Sequence, residues 1–201
     1  MVSALIGQTI SVDAITANEP PADHSHDRSI RFDIACKTET GELINIEMSL
    51  FPNIDELNRL EYYAAKLFTG QNIQGKNKTY SQLRAAYQIA ILGRKCFFDD
   101  KALVHNFQYY DSVHDVPLNG KTRIITLELR KAGQVIEKPV SEMETQEAWA
   151  AFFEYLTTRE KRTKTNEILR REEGIAMAGK TLITITQEER EYARSITRLK
   201  N

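Results

Sequence analysis

Long apolar runs are missing from this 201-residue chain, and no basic region followed by an apolar one stands at its start. The first absence excludes a membrane-spanning helix, and the second argues against a secretory leader. A soluble cytoplasmic protein is therefore the expectation. Cysteine is scarce: Cys36 and Cys96 are too few and too far apart for a zinc ribbon or a disulfide framework, and they suit a reducing compartment. An excess of either charge is also absent. With 27 basic and 28 acidic residues the net charge is −1, so bulk charge offers no argument for nucleic acid. Nor is there a Walker-type glycine loop, a dinucleotide-binding glycine turn, a nucleophile elbow, an internal repeat or a low-complexity tract.

What is present is ordinary globular material, 41% hydrophobic and 27% charged, enough for one core and a helical appendage. Gln8 to Ala17 reads as a first strand from its alternating Ile10, Val12 and Ala14. The proline-containing segment after it is a loop whose His24 and His26, with no acid or thiol cluster beside them, are incidental. The basic run from Arg159 to Arg171 reads as a solvated helix face.

The most informative stretch runs from Arg31 to Leu50. Phe32, Ile34 and Cys36 alternate with Asp33, Ala35 and Lys37; after a turn, Ile44, Ile46 and Met48 alternate with Asn45, Glu47 and Ser49. A three-residue loop, Glu39-Thr40-Gly41, would place Gly41 in the left-handed region and set Thr38 opposite Glu42. Cross-strand partners then sum to 80, and Asp33 faces Glu47 on the polar side of the hairpin. A slip of one residue would move both acids to the apolar face, so the register is strongly specified. Two carboxylates held this close need a cation between them or a raised pKa on one. Arg31 and Lys37 are flanking charges that could instead accommodate the pair. An Asp and a Glu aimed into one space suit a hard divalent ion such as Mg²⁺, which keeps several waters and takes few protein ligands.

Downstream, Asn53 and Glu56 read as a capping-box-like start to a helix whose buried stripe is Leu57, Leu60, Ala64, Leu67 and Phe68. Arg59, Tyr62, Tyr63 and Lys66 fall on or near its other side. Strands are expected at Tyr87 to Gly93, His105 to Ser112 and Arg123 to Lys131, with Glu128 and Lys131 as structural residues of the last. From Ser141 the chain reads as helical: Trp149, Phe152, Phe153 and Leu156 share a core face, and two further helices follow. Residues 1–140 are thus expected to form the core and 141–201 a helical C-terminal region.

Asp33, Glu47 and Ser49 on a hairpin, in the spacing D-x13-E-x-S, resemble the PD-(D/E)xK nuclease core. The stretch RFDIACKTETGELINIEM, Arg59 with Tyr62 and Tyr63, Tyr80 with Leu83, His105-Asn106-Phe107 and LELRK at 127–131 follow in the order of the recombination-promoting nuclease (Rpn) family, a group of bacterial transposase-like proteins. The resemblance covers most of residues 7 to 200. It implies an α/β fold with a restriction-endonuclease-like αβββαβ core, a mixed sheet flanked by helices. It also implies DNA cleavage that depends on Mg²⁺, for which Mn²⁺ may be exchanged. Asp33 and Glu47 would be metal ligands together with the backbone carbonyl of Met48, and Arg59, Tyr62, Tyr63 and Lys66 would meet DNA. A homodimer is implied by analogy with two-strand cutters.

Two departures stand out. The third signature position, ordinarily Lys or Gln, is Ser49, short and neutral; Arg59 or Lys66 would then have to supply the missing charge. Against the family pattern the chain also reads as shortened at both ends, with no helix before its first strand. The competing expectation is a catalytically weakened family member that binds DNA or a protein partner without cutting.

Overall fold

A computed structural model describes residues 1–16, 32–73 and 75–180. His24, His26, Arg31 and the last expected helix lie outside the described residues. The chain divides into two compact units, Val2–Ala132 and Gly133 onward together with Met1.

The first unit opens with α1 (Val2–Ile6), β1 (Val12–Ile15), β2 (Ile34–Thr38), β3 (Leu43–Ser49), α2 (Glu56–Thr69) and β4 (Ala86–Leu92). This is the αβββαβ run that the resemblance implies, and it corrects the expectation that no helix stands before the first strand. A five-residue helix precedes the first strand; it forms because Leu5 and Ile6 find burial, a tertiary reward that so short a segment does not advertise locally. Then come β5 (Val104–Gln108), β6 (Tyr110–Asp111), β7 (Val116–Pro117) and β8 (Thr122–Glu128). A six-stranded mixed sheet has the order β1-β2-β3-β4-β8-β5, in which β3, β4 and β8 are parallel. The strand expected over His105 to Ser112 is split: β5 pairs with β8, while β6 turns away to pair with β7. The strand expected through Lys131 stops at Glu128, and residues from Leu129 to Gln134 wind into a 3₁₀ turn.

The β2–β3 hairpin has the register that its turn dictates. Thr38 N–H donates to the Glu42 carbonyl at 3.0 Å, Gly41 has φ +93°, and Ile34, Ala35, Cys36 and Lys37 pair with Ile46, Asn45, Ile44 and Leu43. The polar row, however, does not face water. The buried stripe of α2 crosses it, with Leu60 against Ala90 and Leu92, and Leu67 against Phe32, Ala35 and Ala86. Alanines at 64, 86 and 90 let helix and sheet approach closely. By register, Asn45, Glu47 and Gln88 lie on that same covered face, and all three are buried. Alternation identifies two faces; it does not say which one a helix will close over. The apolar row is less covered at its ends, where Ile34 and Met48 are exposed.

The second unit contains α3 (Thr145–Tyr155), α4 (Arg162–Arg171) and a helical segment at 173–180. Its core gathers Ile136, Met143, Trp149, Phe152, Ile168 and Ile175. The helix expected to run through Glu172 breaks there, at φ −103° and ψ 103°. The basic run serves structure: Lys161 pairs with Glu137, and Lys164 and Arg171 donate to the Lys138 and Met143 carbonyls.

Candidate metal and active site

Asp33 stands immediately before β2, and Glu47 lies near the carboxyl end of β3. Each clasps the other's strand. Asp33 N–H donates to Glu47 Oε1 at 3.1 Å, and Met48 N–H donates to Asp33 Oδ2 at 3.0 Å. Glu47 Oε1 also accepts from Asn45 Nδ2 at 3.0 Å, and the same amide donates to Gln88 Oε1 at 2.7 Å. Asn45 Oδ1 and Gln88 Nε2 remain buried with no hydrogen-bond partner among the described residues.

Glu47 is only 3% exposed, and burial pushes its carboxyl above the ordinary glutamate value. The Asn45 and Asp33 hydrogen bonds oppose that push, the Asp33 charge adds to it, and the Arg59 charge opposes it. Each acid thus commits one oxygen to the hairpin, leaving Glu47 Oε2 and Asp33 Oδ1 without a hydrogen bond among the described residues. Among those residues no three His, Cys, Asp or Glu side chains gather into a metal cluster. A donor set of two carboxylates fits Mg²⁺, which fills its remaining positions with water, main-chain oxygen or substrate phosphate.

Ser49, one turn of the pleat beyond Glu47, donates its hydroxyl to Glu56 Oε2 at 3.2 Å. Glu56 Oε1 in turn takes Arg59 Nη2 at 2.6 Å. The expected capping box is therefore not formed: α2 has Asp55 at its N-cap, and Asn53 Oδ1 accepts the Asp55 N–H instead. Glu56 points inward because it shares the stripe of Leu60, Ala64 and Leu67, the i, i+4, i+8 phase that could have revealed it. Asn45 and Gln88 were likewise missed; polar residues at register partners on adjoining strands were the available sign.

The structure brings Asp33, Glu47, Ser49 and Arg59 together. Tyr63 packs behind them, its ring edge-on to Phe32 at 5.6 Å and beneath the Arg59 guanidinium at 5.6 Å. Tyr62 is exposed on the outer side of α2, and Lys66 lies two turns from Arg59, about 10 Å along the axis. Lys37 is exposed at the turn end of the hairpin, away from the acids.

A second polar cluster lies two strands over. Glu128, fully buried, accepts Phe97 N–H at 2.5 Å and pairs with Lys131 Nζ at 2.5 Å. Lys131 also reaches Asp100 Oδ1 and the Ala102 carbonyl, both at 3.0 Å, while His105 Nε2 lies 2.8 Å from Asp100 Oδ2. Burial pulls the Lys131 pKa down, but its hydrogen bonds and ion pairs with Glu128 and Asp100 carry it above the ordinary value. Bonds from His105 and Lys131 hold Asp100 at about 2. A cavity of about 280 Å³, lined by Glu61, Ala64, Phe107, Tyr109 and Ile124, lies along α2 and does not reach the acid pair.

Among the described residues no helix is long and apolar enough to cross a membrane. A family model described as PD-(D/E)XK nuclease family transposase matches residues 3–201. No curated protein and no solved structure matches the chain.

Proposed function

The chain belongs to the PD-(D/E)XK nuclease family transposases, and from that premise we propose that it is a Mg²⁺-dependent DNA endonuclease whose metal is held by Asp33 and Glu47. The observation that carries the reading is the reciprocal clasp of the two acids, which fixes both while leaving one oxygen on each uncommitted. A bound divalent ion would polarise the phosphoryl oxygen and lower the pKa of an attacking water. The Met48 carbonyl is the proposed third protein ligand, from a residue whose N–H already holds Asp33.

The chain's own groups have separable tasks. Asn45 and the Asp33 main chain orient Glu47, so that its free oxygen is presented without rotamer freedom. Arg59 supplies the positive charge that Lys would bring at position 49, and Tyr63 supports its guanidinium from behind. Two carboxylates, Glu56 and Glu47, act on that one arginine, and the Asp33 charge bears on Glu47 in turn, so a divalent cation is the natural complement. Tyr62 and Lys66, farther out on α2, are proposed to meet the DNA backbone rather than the reacting phosphate. We place the protein in the cytoplasm, acting on two strands as a homodimer.

One observation favours the weaker reading, binding without efficient cutting. The Ser49 hydroxyl is spent on Glu56, and Glu56 also neutralises Arg59. Nicking of supercoiled plasmid with Mg²⁺ or Mn²⁺ tests both readings. Cleavage by the wild type that Asp33→Ala and Glu47→Ala abolish is the expected result, and cleavage surviving both substitutions overturns the assignment. A wild type that is inert but gains nicking as Ser49→Lys or Ser49→Gln supports the weakened site.

A further inference from the structure

Two loops meet where β3 and β4 end. Gly93 N–H donates to the Ser49 carbonyl at 2.9 Å. A Cβ on Gly93 would stand 3.0 Å from the Leu50 Cα and carbonyl oxygen, tighter than an ordinary contact, so glycine lets the two loops approach without displacement. The next residue, Arg94, has φ +53°, and Lys95 N–H closes back onto the Gly93 carbonyl at 2.6 Å. A three-residue turn centred on a left-handed arginine is rare and strained, and such strain persists where surrounding structure enforces it.

The turn delivers the arginine to one place. Its guanidinium carbon lies 4.2 Å from the centroid of the Phe51 ring, which is itself 70% exposed. Leu50 and Ile54 beside it are exposed as well. Arg94 and Lys95 are exposed and make no ion pair among the described residues. Phe51 follows Ser49 by two residues, so its main chain lies within about 7 Å of that position. A lone exposed phenylalanine would need no explanation. One that carries a strained arginine on its face, two residues beyond Ser49 and with the Lys95 ammonium nearby over the Phe97 ring at 4.8 Å, is a different matter.

We infer that Phe51 and Arg94 form a stacking platform for an unpaired nucleobase flanking the scissile phosphate, with Lys95 on the adjoining phosphate. A base inside a continuous duplex has both faces occupied by its neighbours. A protein ring stacks only on a base that is single-stranded, terminal or displaced. The substrate class is therefore DNA with an unpaired stretch at the cut. This rests on the nuclease reading for the phosphate, while the platform itself is tested by binding alone.

The full-length Asp33→Asn protein, without divalent metal, is titrated by fluorescence anisotropy against a single-stranded oligonucleotide, its blunt duplex and the duplex with a 3′ overhang. 2-Aminopurine in the unpaired part reports stacking. Single-stranded and overhang forms bind more tightly than the blunt duplex, and their 2-aminopurine emission is quenched. Phe51→Ala and Arg94→Gly, the latter relieving the turn while removing the side chain, each lose about 5- to 100-fold for the unpaired forms. Phe51→Trp retains binding, and Phe51→Leu, apolar without a π face, does not. Equal affinity for all three forms, or unchanged binding by Phe51→Ala, overturns the inference. So does full binding by Phe51→Leu together with a concentration-dependent dimer that Phe51→Ala abolishes, which would make the patch a contact between copies of this chain. Plasmid nicking by a wild type indifferent to Phe51 leaves the nuclease reading standing and removes this one. Phe51-dependent single-strand binding by a protein that never nicks does the reverse.

Discussion

The Asn45 side-chain amide holds Glu47 from two residues back on the same strand, at 3.0 Å, and at the same time bridges to Gln88 on the neighbouring strand at 2.7 Å. Replacing it with alanine removes one donor from a buried carboxylate and one from a buried amide oxygen. Asn45→Ala is expected to cost about 1–3 kcal/mol in urea unfolding, the penalty for buried polar groups left unpaired. It should also raise the Glu47 pKa further, because the lost bond favoured the charged form. The acid limb of a cleavage pH profile would then move to higher pH.

Glu47 makes metal-free stability depend on pH in a direction opposite to most carboxylates. Its folded pKa is raised by burial. Above the ordinary glutamate value the unfolded chain releases its proton while the folded one retains it, so the folded state binds more protons. Stability therefore falls as pH rises from the ordinary value through the raised one. Glu47→Gln removes the penalty: its melting temperature should exceed that of the metal-free wild type at neutral pH, with the gap narrowing as pH drops. A gap that widens in acid would contradict the assignment.

Divalent metal should repay the cost of holding Asp33 and Glu47 together. At Mg²⁺ or Mn²⁺ about a hundred times above its dissociation constant, stabilisation is about 2.7 kcal/mol. For a chain of this length that corresponds to a rise of roughly 5–10 °C in melting temperature. A chelator should reverse it, and Asp33→Ala and Glu47→Ala should show none.

Glu128→Ala leaves the Lys131 ammonium buried without its nearer partner and strips the acceptor from Phe97 N–H. A loss of about 3–5 kcal/mol is expected by chemical denaturation. The double variant Glu128→Ala with Lys131→Met should recover part of that loss, since it removes the stranded charge.

How far this was legible in sequence varies with distance along the chain. The Asp33–Glu47 register followed from alternation and a glycine-closed turn, both local, whereas helical spacing set Arg59 and Tyr63 only on or near the side of α2 away from its buried stripe, and the structure ties Arg59 to Glu56 and Tyr63 to Phe32. Glu56 satisfies a capping pattern three residues after Asn53 as well as a buried stripe; the competition is decided by the Ser49 hydroxyl, which donates to it across the β3–α2 turn. The burial of Asn45 and Gln88 depended on where α2 came to rest, which no local pattern encodes. The Asp100–His105–Glu128–Lys131 cluster was invisible for the same reason: Lys131 and Asp100 lie 31 residues apart, and a 3₁₀ turn had to replace strand before Lys131 could fold back on Glu128.

The amide bridge between Asn45 and Gln88 spans 43 residues, whereas the acids themselves sit on one hairpin. During synthesis, the hairpin can form as soon as its second strand emerges, with Glu47 still hydrated and ordinarily acidic. Only when β4 pairs with β3 and α2 lies across the face they share does that carboxylate lose its water. On the proposed metal site, affinity for a cation would thus be acquired late, as a property of closure rather than of the two acids alone, and a truncated chain ending before β4 is expected to carry both acids yet hold metal no better than a loose peptide.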